Sequence, residues 1–543
     1  MSSQLRVGEA VVDLLAREYG VDTVFGIPGV HNIELYRGLH RSGVRAISPR
    51  HEQGAGFMAD GWSVVSGRPG VCTLITGPGL TNALTPMAQA FHDSRPMLVL
   101  AATTDTGALG KRFGPLHDLD DQAAIARTVT AFSETVTDPA DLPRLLACAW
   151  DVFTSSRPRP VHLAIPTDVL ERWIDPFVAV PSVAVRPVAD DAAIAAAVDA
   201  LASAPAGDVV VIAGGGAIDA GAELLAVADA LDAAVVLTGN AKGVVASSHP
   251  RCAGNVLGSP GVQRRLETAA AVLVVGSEVS DADLYNGGHA LAFSGTVVRV
   301  DIDAEQLHRR MAPTVALHGD AATTLAAIGE GLAARGTGRT AEPDRSAGAA
   351  LAAELHGIAR GEFRADLLPW VDALAATLTS DTVVALDSTQ LAYTAHVALP
   401  CERPRSWLAP YGLGTLGCAL PMAIGAAVAD RTRPVLALAG DGGWLFTVAE
   451  MATATDEALD LVLVLWDNRG YAQIRQSFDD VDAPRMGVDV SSTDPLAIAR
   501  GFGWQATSVA TPDALTAAIR SAQHAGGPHL VRVEVPGAYA SPK

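Results

Sequence analysis

Short apolar runs alternate with amphipathic helical stretches along most of this chain. The runs fall into three groups, at residues 23–26, 71–76, 97–101 and 161–165, then 209–213, 234–238, 271–276 and 296–301, then 382–386, 434–440, 461–466 and 530–535. Continuous apolar runs of this length between helices are typical of strands buried in parallel sheets. The pattern therefore predicts an α/β protein with doubly wound parallel sheets.

The length of 543 residues fits three or more domains of ordinary size. We predict a first domain over residues 1–175, a second over 187–328 and a third over 363–543. The stretch that begins at Gly329 is rich in Gly, Arg and Ser and has no periodicity, so residues 329–362 are predicted to be a linker.

Composition narrows the functional classes. The chain has 59 Asp and Glu against 39 Lys and Arg, a formal charge of −20. Such a surface repels nucleic acids and anionic membranes, and the apolar runs are too short to cross a bilayer. The five cysteines form no CxxC pair, and the N-terminus shows no apolar signal region, so we expect a reduced, cytoplasmic protein.

Polar residues follow two neighbouring predicted strands in the last third of the chain. Residues 434–440 lead into Asp441, Gly442 and Gly443, and residues 461–466 lead into Asp467-Asn468-Arg469-Gly470. The carboxyl ends of parallel strands lie side by side, and the glycines allow backbone N–H groups to approach an anion. Asp441 and Asn468 offer oxygen ligands suited to Mg²⁺. This arrangement predicts a site for a metal and a diphosphate.

GDG followed by 25 residues (443–467) and then Asn468 resembles the motif of thiamine diphosphate enzymes. The resemblance implies that Mg²⁺ is held by the side chains of Asp441 and Asn468 and by the carbonyl of Gly470. The family usually has Asn-Asn at the second strand end, where this chain has Asp467-Asn468. A GDG alone is most often a simple turn.

Three stretches of the first domain, FGIPG, RHEQGAGFMADGW and TGPGLTN, resemble the pyrimidine-binding domain of acetolactate synthase-type thiamine enzymes. The resemblance implies that Glu52 hydrogen-bonds the aminopyrimidine ring of the cofactor. The alternative is a glutamate in the first turn of a helix, favoured there by the helix dipole. We interpret the neighbouring His51 as structural.

The third domain resembles the diphosphate-binding domain of the same family. The resemblance makes Ser388, Thr389 and Gln390 candidate diphosphate contacts, together with Gly442 and Gly443. It also implies that the Gly414 carbonyl meets the amino group of the cofactor and that Leu416 holds the cofactor bent. An ordinary core leucine is the alternative for Leu416.

The second domain resembles the central domain of the family, which holds FAD in some members and ADP or nothing in others. Gly214-Gly215-Gly216 lacks a full GxGxxG, which makes FAD the less favoured outcome. In the family, the pyrimidine-binding domain of one subunit faces the diphosphate-binding domain of another. We therefore expect a homodimer or homotetramer with Glu52 and Asp441 meeting across the interface.

The resemblance implies decarboxylation of a 2-oxo acid, and residues 113–122 bear on the substrate. Where acetolactate synthases have a Phe-Gln-Glu run, this chain has His117 and Asp118, with Gln122 further on. An imidazole can relay a proton and a carboxylate can pair with a cationic tail, so we interpret His117 as catalytic and Asp118 and Gln122 as substrate-binding. The LHDLDDQ stretch resembles decarboxylases of 5-guanidino-2-oxopentanoate.

Three alternatives stay open at this point. The acidic residues of this loop could simply be solvated. An acetolactate synthase-type carboligase acting on pyruvate is disfavoured by the missing Phe-Gln pair and by Ser477, where synthases often have Trp. A non-catalytic homologue is disfavoured because Glu52, Asp441 and Asn468 are all retained.

Overall fold

The computed structural model describes residues 4–182, 185–285, 289–336, 346–489 and 493–535. Within these residues lie three six-stranded sheets whose strand pairs are all parallel, and helices alternate with the strands. This confirms the predicted three doubly wound α/β units. None of the helices in these ranges is both long and apolar enough to cross a membrane.

The first unit has the sheet order β3-β2-β4-β5-β7-β6, and β1 pairs antiparallel with β8 beside it. Its strands are β1 Leu5–Arg6, β2 Thr23–Gly26, β3 Arg45–Ile47, β4 Gly70–Leu74, β5 Met97–Thr103, β6 Phe132–Thr135, β7 Val161–Pro166 and β8 Trp173–Ile174. Its helices are α1 Val7–Tyr19, α2 Ile33–Ser42, α3 Glu52–Ser66, α4 Pro78–His92, α5 Gln122–Ala126, α6 Leu142–Ser155 and α7 Thr167–Leu170.

The second unit has the order β11-β10-β9-β12-β13-β14. Its strands are β9 Val209–Ala213, β10 Ala234–Leu237, β11 Cys252–Gly254, β12 Ala271–Val275, β13 Thr296–Asp301 and β14 Val315–His318. Its helices are α8 Asp191–Ala202, α9 Gly221–Leu231, α10 Pro260–Glu267, α11 Asp281–Leu284 and α12 Ala321–Ala334. Single 3₁₀ turns in the first two units cover Arg127–Val129, Pro139–Asp141, Gly215–Ala217, Gly239–Ala241 and Gln306–His308.

Much of the predicted linker 329–362 is helical. Helix α12 extends to Ala334, and helix α13 covers Ala347–Glu362, while residues 337–345 lie outside the described ranges. Helix α13 packs its buried face on the second unit, and the Gly348 N–H donates to the Asp232 carboxylate at 3.2 Å. The helix is therefore part of the second unit. The boundaries 1–175, 187–328 and 363–543 otherwise stay a prediction.

The third unit has the order β16-β15-β17-β18-β20-β19. Its strands are β15 Val383–Leu386, β16 Trp407–Leu408, β17 Val435–Gly440, β18 Leu461–Asp467, β19 Gln505–Val509 and β20 Pro528–Glu534. Its helices are α14 Leu368–Ala375, α15 Gln390–Ala398, α16 Ala419–Ala429, α17 Asp441–Trp444, α18 Glu450–Asp456, α19 Ala472–Asp480, α20 Pro495–Gly501 and α21 Pro512–Ala525.

Helices α3 and α16 join the first and third units in one shared hydrophobic core. Two glycines allow the close approach. A Cβ on Gly61 would lie 2.2 Å from the Met422 carbonyl oxygen, and a Cβ on Gly425 would lie 2.0 Å from the Met58 carbonyl oxygen. Both distances are shorter than any real contact, so each helix requires the other's glycine.

Candidate active site

Three oxygen atoms converge where β17 and β18 end. These strands are hydrogen-bonded neighbours, which brings Asp441 and Asn468 together. The Asn468 amide oxygen lies 3.1 Å from Asp441 Oδ1 and 2.7 Å from the Gly470 carbonyl oxygen. A rotated amide that donates to both oxygens would relieve this contact, and so would a cation bound between the three. Because this donor set of a carboxylate, an amide and a carbonyl is what Mg²⁺ accepts, the residues fit the predicted ion.

No cluster of three or more His, Cys, Asp or Glu side chains suited to a metal occurs in the described residues. A site with one carboxylate would not form such a cluster.

The loop after β18 is fixed by its backbone. Arg469 has φ +61° and Gly470 has φ +128°, and a Cβ on Gly470 would lie 2.2 Å from the Val488 carbonyl oxygen. The Gly470 N–H donates to Asp441 Oδ2 at 2.7 Å, and the Arg475 guanidinium donates to the Asn468 carbonyl. Glycine is required at position 470 because its backbone lies in the left-handed region and in contact with another chain segment.

Asp467 stands where the family usually has a first Asn, and its carboxylate is bound elsewhere. Asp467 Oδ2 accepts from Arg532 Nε at 2.7 Å, and Asp467 is 2% exposed. Burial, with the Asp467 charge nearby as the second cause, raises the pKa of Asp441 to about 6. A bound divalent cation would favour the ionised form of Asp441.

Candidate diphosphate contacts surround this edge. Ser388 is half-buried after β15, Thr389 stands at the N-cap position of α15 without a side-chain capping bond, and Gln390 begins that helix. The glycines of α17 pack closely: a Cβ on Gly442 would lie 2.5 Å from the Tyr471 ring, and one on Gly443 would lie 3.2 Å from the Asp387 carboxylate. A side chain at position 442 would clash with the Tyr471 ring, and one at position 443 would require the Asp387 carboxylate to shift slightly.

The loop with Gly414 and Leu416 is held at both ends. Asp387 accepts from the Gly417 N–H at 2.9 Å, and Ser388 Oγ donates to the Gly414 carbonyl at 3.3 Å. Burial raises the pKa of Asp387 to about 6. Leu416 is half-buried and is absent from the hydrophobic clusters of the described residues, which argues against an ordinary core leucine.

Buried polar groups tie the start of this loop to the other two units. Asp93 Oδ1 accepts from the Gly412 N–H at 2.9 Å and from Asn240 Nδ2 at 3.1 Å. Gln89 Oε1 accepts from the Leu413 N–H at 3.1 Å. The loop position therefore depends on all three units.

Glu52, the predicted pyrimidine contact, is the first residue of α3 and is half-buried. Its Oε2 atom accepts from Asn82 Nδ2 at 2.9 Å. His51 precedes it, and His51 Nδ1 accepts from the Gln53 N–H at 3.2 Å. This helix cap agrees with the structural interpretation of His51.

His117 has a histidine neighbour that we did not predict. The rings of His31 and His117 are 5.6 Å apart between centroids and nearly perpendicular. His31 Nδ1 lies 2.9 Å from Thr76 Oγ1, and burial, followed by the nearby His117, lowers the pKa of His31. Thr76 starts the TGPGLTN stretch that also contains Asn82, so both histidines lie by the segment that holds Glu52. In the sequence, His31 is marked only by its position just after the FGIPG motif.

The acidic residues of the loop before α5 have different surroundings. Asp120 pairs with exposed Arg112, and Asp121 caps α5 by accepting from the Ala124 N–H at 2.9 Å. Asp118 is half-buried, and its carboxylate has no hydrogen bond or ion pair to the described residues. Of these three acids, Asp118 is therefore the one available to a ligand.

Gln122 is buried and bonded at both ends of its amide. Its Oε1 accepts from the Gly77 N–H at 3.0 Å, and its Nε2 donates to the Ala102 carbonyl at 2.9 Å. This geometry favours a role for Gln122 in positioning the TGPG loop. It favours this role more than the predicted contact with the substrate.

We call Asp441, Asn468 and Gly470 the metal edge, after the ion that they are predicted to bind. Within the described residues, no hydrogen bond or ion pair joins Glu52 to this edge in one chain. Large apolar side chains are exposed in the segments that form both halves, namely Val30, Ile33, Phe113, Leu116, Leu413, Phe446 and Ile474. Exposed apolar groups of this kind are what a partner surface would cover, if they lie together in the assembly.

The glycine triplet of the second unit is explained by packing. A Cβ on Gly214 would lie 2.2 Å from the Gly276 carbonyl oxygen, and one on Gly216 would lie 2.9 Å from Gly276 Cα. These glycines bring two loops together, so their presence requires no bound nucleotide.

Family models for thiamine pyrophosphate (thiamine diphosphate) enzymes match all three units. The N-terminal TPP binding domain matches residues 5–125, the central domain matches 194–328 and the C-terminal TPP binding domain matches 387–533. The chain belongs to the thiamine pyrophosphate enzyme family, as its motifs predicted.

Individual proteins of this family are similar to the chain over most of its length. The chain is 42% identical over 504 residues to a probable 2-ketoarginine decarboxylase of Pseudomonas aeruginosa, covering 92% of this chain and 88% of that protein. It is 30% identical to acetolactate synthase isozyme 1 large subunit of Escherichia coli, covering 97% and 93%. It is 32% identical to the acetolactate synthase large subunit of Corynebacterium glutamicum, covering 84% and 74%.

Proposed function

We propose that this chain is a thiamine diphosphate- and Mg²⁺-dependent decarboxylase of a 2-oxo acid with a cationic tail, such as 5-guanidino-2-oxopentanoate (2-ketoarginine). The products are an aldehyde and CO₂. The observation that carries the proposal is the half-buried Asp118 carboxylate, which has no partner in the described residues and follows His117 directly. Likeness to a probable 2-ketoarginine decarboxylase supports the same substrate class.

The cofactor would be held between the Glu52 segment of the first unit and the strand ends of the third unit. Bound thiamine diphosphate supplies the nucleophilic carbon and the electron sink that allow a 2-oxo acid to lose CO₂. The residues proposed to hold it and its ion are Asp441, Asn468 and Gly470 for Mg²⁺, Ser388, Thr389, Gln390, Gly442 and Gly443 for the diphosphate, Gly414 and Leu416 for the bend, and Glu52 for the pyrimidine ring.

The chain's own groups then handle protons and charge. Asn82 binds Glu52 Oε2, which leaves Oε1 to share a proton with the pyrimidine ring. When the bond to the carboxylate breaks and CO₂ leaves, one proton has to replace it on the carbon that becomes the aldehyde. His117 is the proposed donor, since an imidazole holds a transferable proton near neutral pH. Asp118 would bind the guanidinium group.

Asp118→Asn tests the substrate assignment. A charged hydrogen bond contributes about 1.5–3 kcal/mol, so we expect KM for 5-guanidino-2-oxopentanoate to rise about ten- to a hundredfold. KM for an uncharged 2-oxo acid of similar length should not change. The matched control is Asp120→Asn, which removes the same charge from the same loop at a site already paired with Arg112. Equal effects of the two substitutions would refute the role of Asp118.

Analysis of the organic product separates decarboxylation from the acetolactate synthase-type reaction. CO₂ release from the guanidino acid with an aldehyde as product would support the proposal. Preference for pyruvate with acetolactate as product would instead assign the chain to the carboligases.

We propose further that the active enzyme is a homo-oligomer, a dimer or tetramer, with each site formed by Glu52 of one copy and Asp441 of another. The exposed apolar side chains beside both halves support this arrangement. Coexpression of Glu52→Gln with Asp441→Ala tests it, because a mixed dimer has one site with both defects and one intact site. Random pairing should restore about a quarter of wild-type activity, whereas sites built within one chain would restore none.

Neither FAD nor a disulfide enters the proposal. Decarboxylation followed by protonation involves no net redox change, so it needs no flavin. All five cysteines are free, which supports a reduced, cytoplasmic environment.

A further inference from the structure

A buried carboxylate from the third unit contacts the segment that starts helix α3. Glu450 is the first residue of α18 and is 1% exposed. Its carboxylate accepts from the Arg50 N–H at 3.0 and 3.1 Å and from the His51 N–H at 3.1 Å. These donors are about 400 residues away in sequence, and they immediately precede Glu52.

Both sides of this contact fix the carboxylate. Thr453 Oγ1 donates to Glu450 Oε2 at 2.7 Å from the same helix. On the other side, a Cβ on Gly54 would lie 2.2 Å from Glu450 Oε1, so the first turn of α3 packs directly on the carboxylate. Burial raises the pKa of Glu450, and the three donors counteract that rise.

The arrangement supplies what the start of α3 needs. Backbone N–H groups near a helix N-terminus have no partner within the helix, and negative charge is favourable there. Asn82 holds the Glu52 side chain, and Glu450 and the His51 cap hold the backbone on either side of Glu52.

We propose that Glu450 is a positioning residue that sets the placement of the Glu52 carboxylate. The inference rests on the proposed function, in which Glu52 shares a proton with the cofactor. A displacement of about 1 Å in a catalytic group can cost about a hundredfold in rate. Loss of Glu450 should therefore act on turnover more than on substrate binding, and without changing the metal edge at Asp441.

Glu450→Gln tests this role. The amide keeps the size but points an N–H₂ group at donors, so we expect kcat to fall at least about tenfold with KM changed less than about threefold. Amide hydrogen exchange of residues 50–56 should become faster, while exchange in β17 and β18 stays as in the wild type. Half-saturation by Mg²⁺, followed through thiamine diphosphate binding, should not change.

Asp456→Asn is the matched control. Asp456 ends the same helix and pairs with the Arg50 side chain, but its own side chain is 64% exposed. Wild-type kcat and exchange are expected, because an exposed pair contributes little. Should Glu450→Gln fail to fold, Thr453→Val removes the side-chain hydrogen bond that the carboxylate receives from its own helix, and we expect the same pattern at smaller size.

Some outcomes would overturn the inference. Wild-type kcat in Glu450→Gln, or faster exchange spread evenly over the molecule, would mean that Glu450 only stabilises the fold. The exchange measurement needs no turnover, so it separates this inference from the proposed function. If the wild type were inactive but Glu450→Gln showed faster exchange at residues 50–56, the decarboxylase proposal would be refuted. The role of Glu450 in holding the start of α3 would still stand.

Discussion

One substitution at two helical glycines should give effects of opposite sign. Gly425 lies in α16 against α3, where a Cβ would be 2.0 Å from the Met58 carbonyl oxygen. Gly357 lies in α13, where a Cβ would have no atom within 4 Å. Alanine favours helix over glycine by about 1 kcal/mol at either position. The surroundings therefore decide the result.

The magnitude at Gly425 follows from the geometry. A Cβ contact under 3.0 Å essentially never occurs, so the helices have to separate by at least about 1 Å (3.0 − 2.0). The obstacle is backbone, which no rotamer change relieves. Overpacking typically costs about 1–3 kcal/mol. Because backbone has to move here, we take the upper end, about 3 kcal/mol, and after the gain of about 1 kcal/mol in helix propensity we expect a net loss of about 2 kcal/mol. Gly357→Ala should instead gain up to about 1 kcal/mol.

The assay compares both variants with the wild type in urea, followed by tryptophan fluorescence and far-ultraviolet circular dichroism. A chain of three units need not unfold in one step, so the transition that includes the α3 and α16 signals is the one to compare. Cofactor and Mg²⁺ are left out, because any ligand that binds the native state shifts the transition.

Gly61→Ala is the reciprocal experiment, with a Cβ 2.2 Å from the Met422 carbonyl oxygen, and the same loss is expected. If Gly425→Ala and Gly61→Ala were as stable as Gly357→Ala, the close contact between α3 and α16 would be refuted. A loss at only one of the two positions would contradict the reciprocal packing.

Three further results are expected. Asn82→Ala removes the donor to Glu52 and should lower kcat about tenfold, as seen in steady-state kinetics, with wild-type cofactor binding as the check on folding. Asp441→Asn should raise the Mg²⁺ concentration for half-maximal cofactor binding at least about tenfold in a fluorescence titration, and an unchanged value would contradict its role as ligand. Burial lowers the pKa of His162 to about 3. In the unfolded chain, His162 takes up a proton below the ordinary histidine pKa of about 6.5. The stability that neutral His162 contributes is therefore complete above pH 6.5 and is lost as pH falls. The loss is about 2 kcal/mol at pH 5. His162→Gln should flatten this dependence in urea titrations at pH 7.5 and 5.

The sequence predicted the interior strands and missed the edges. Strands such as β9, β12 and β18 are buried along their whole length and are continuous apolar runs. The edge strands β3, β16 and β19 are two to five residues long or alternate between exposed and buried positions, so their pattern does not differ from that of loops. A strand with one free edge needs less apolar surface, and its pairing is decided by the neighbouring strand.

Helix α13 lies within the stretch 329–362 that the sequence predicts to be a linker. Leu351, Leu355 and Ala359 are buried at a spacing of four residues, which is a helical repeat. The linker prediction rests on the preceding stretch, which is rich in Gly and Arg. The stability of α13 comes from packing on the second unit, which local composition does not reveal.

Some residues of the candidate site could be predicted from the sequence, and others could not. Asp441 and Asn468 could be placed together because parallel neighbours end at one edge of a sheet. His31 and Gln122 depend on contacts with distant loops, and Asp118 differs from Asp120 and Asp121 only through partners that the sequence does not specify.

The connection from β17 to β18 carries residues of both proposed roles. Its first residue, Asp441, is a proposed Mg²⁺ ligand, and nine residues later the Glu450 carboxylate accepts from the backbone that precedes α3. Helix α17 is buried, whereas Phe446 is 52% exposed and Val448 and Ala449 are half-buried, so the core fixes the Asp441 end of this segment without the Glu450 contact. The backbone that precedes Glu52 is thus bonded, within one chain, to the segment that begins at Asp441, the residue proposed to bind Mg²⁺.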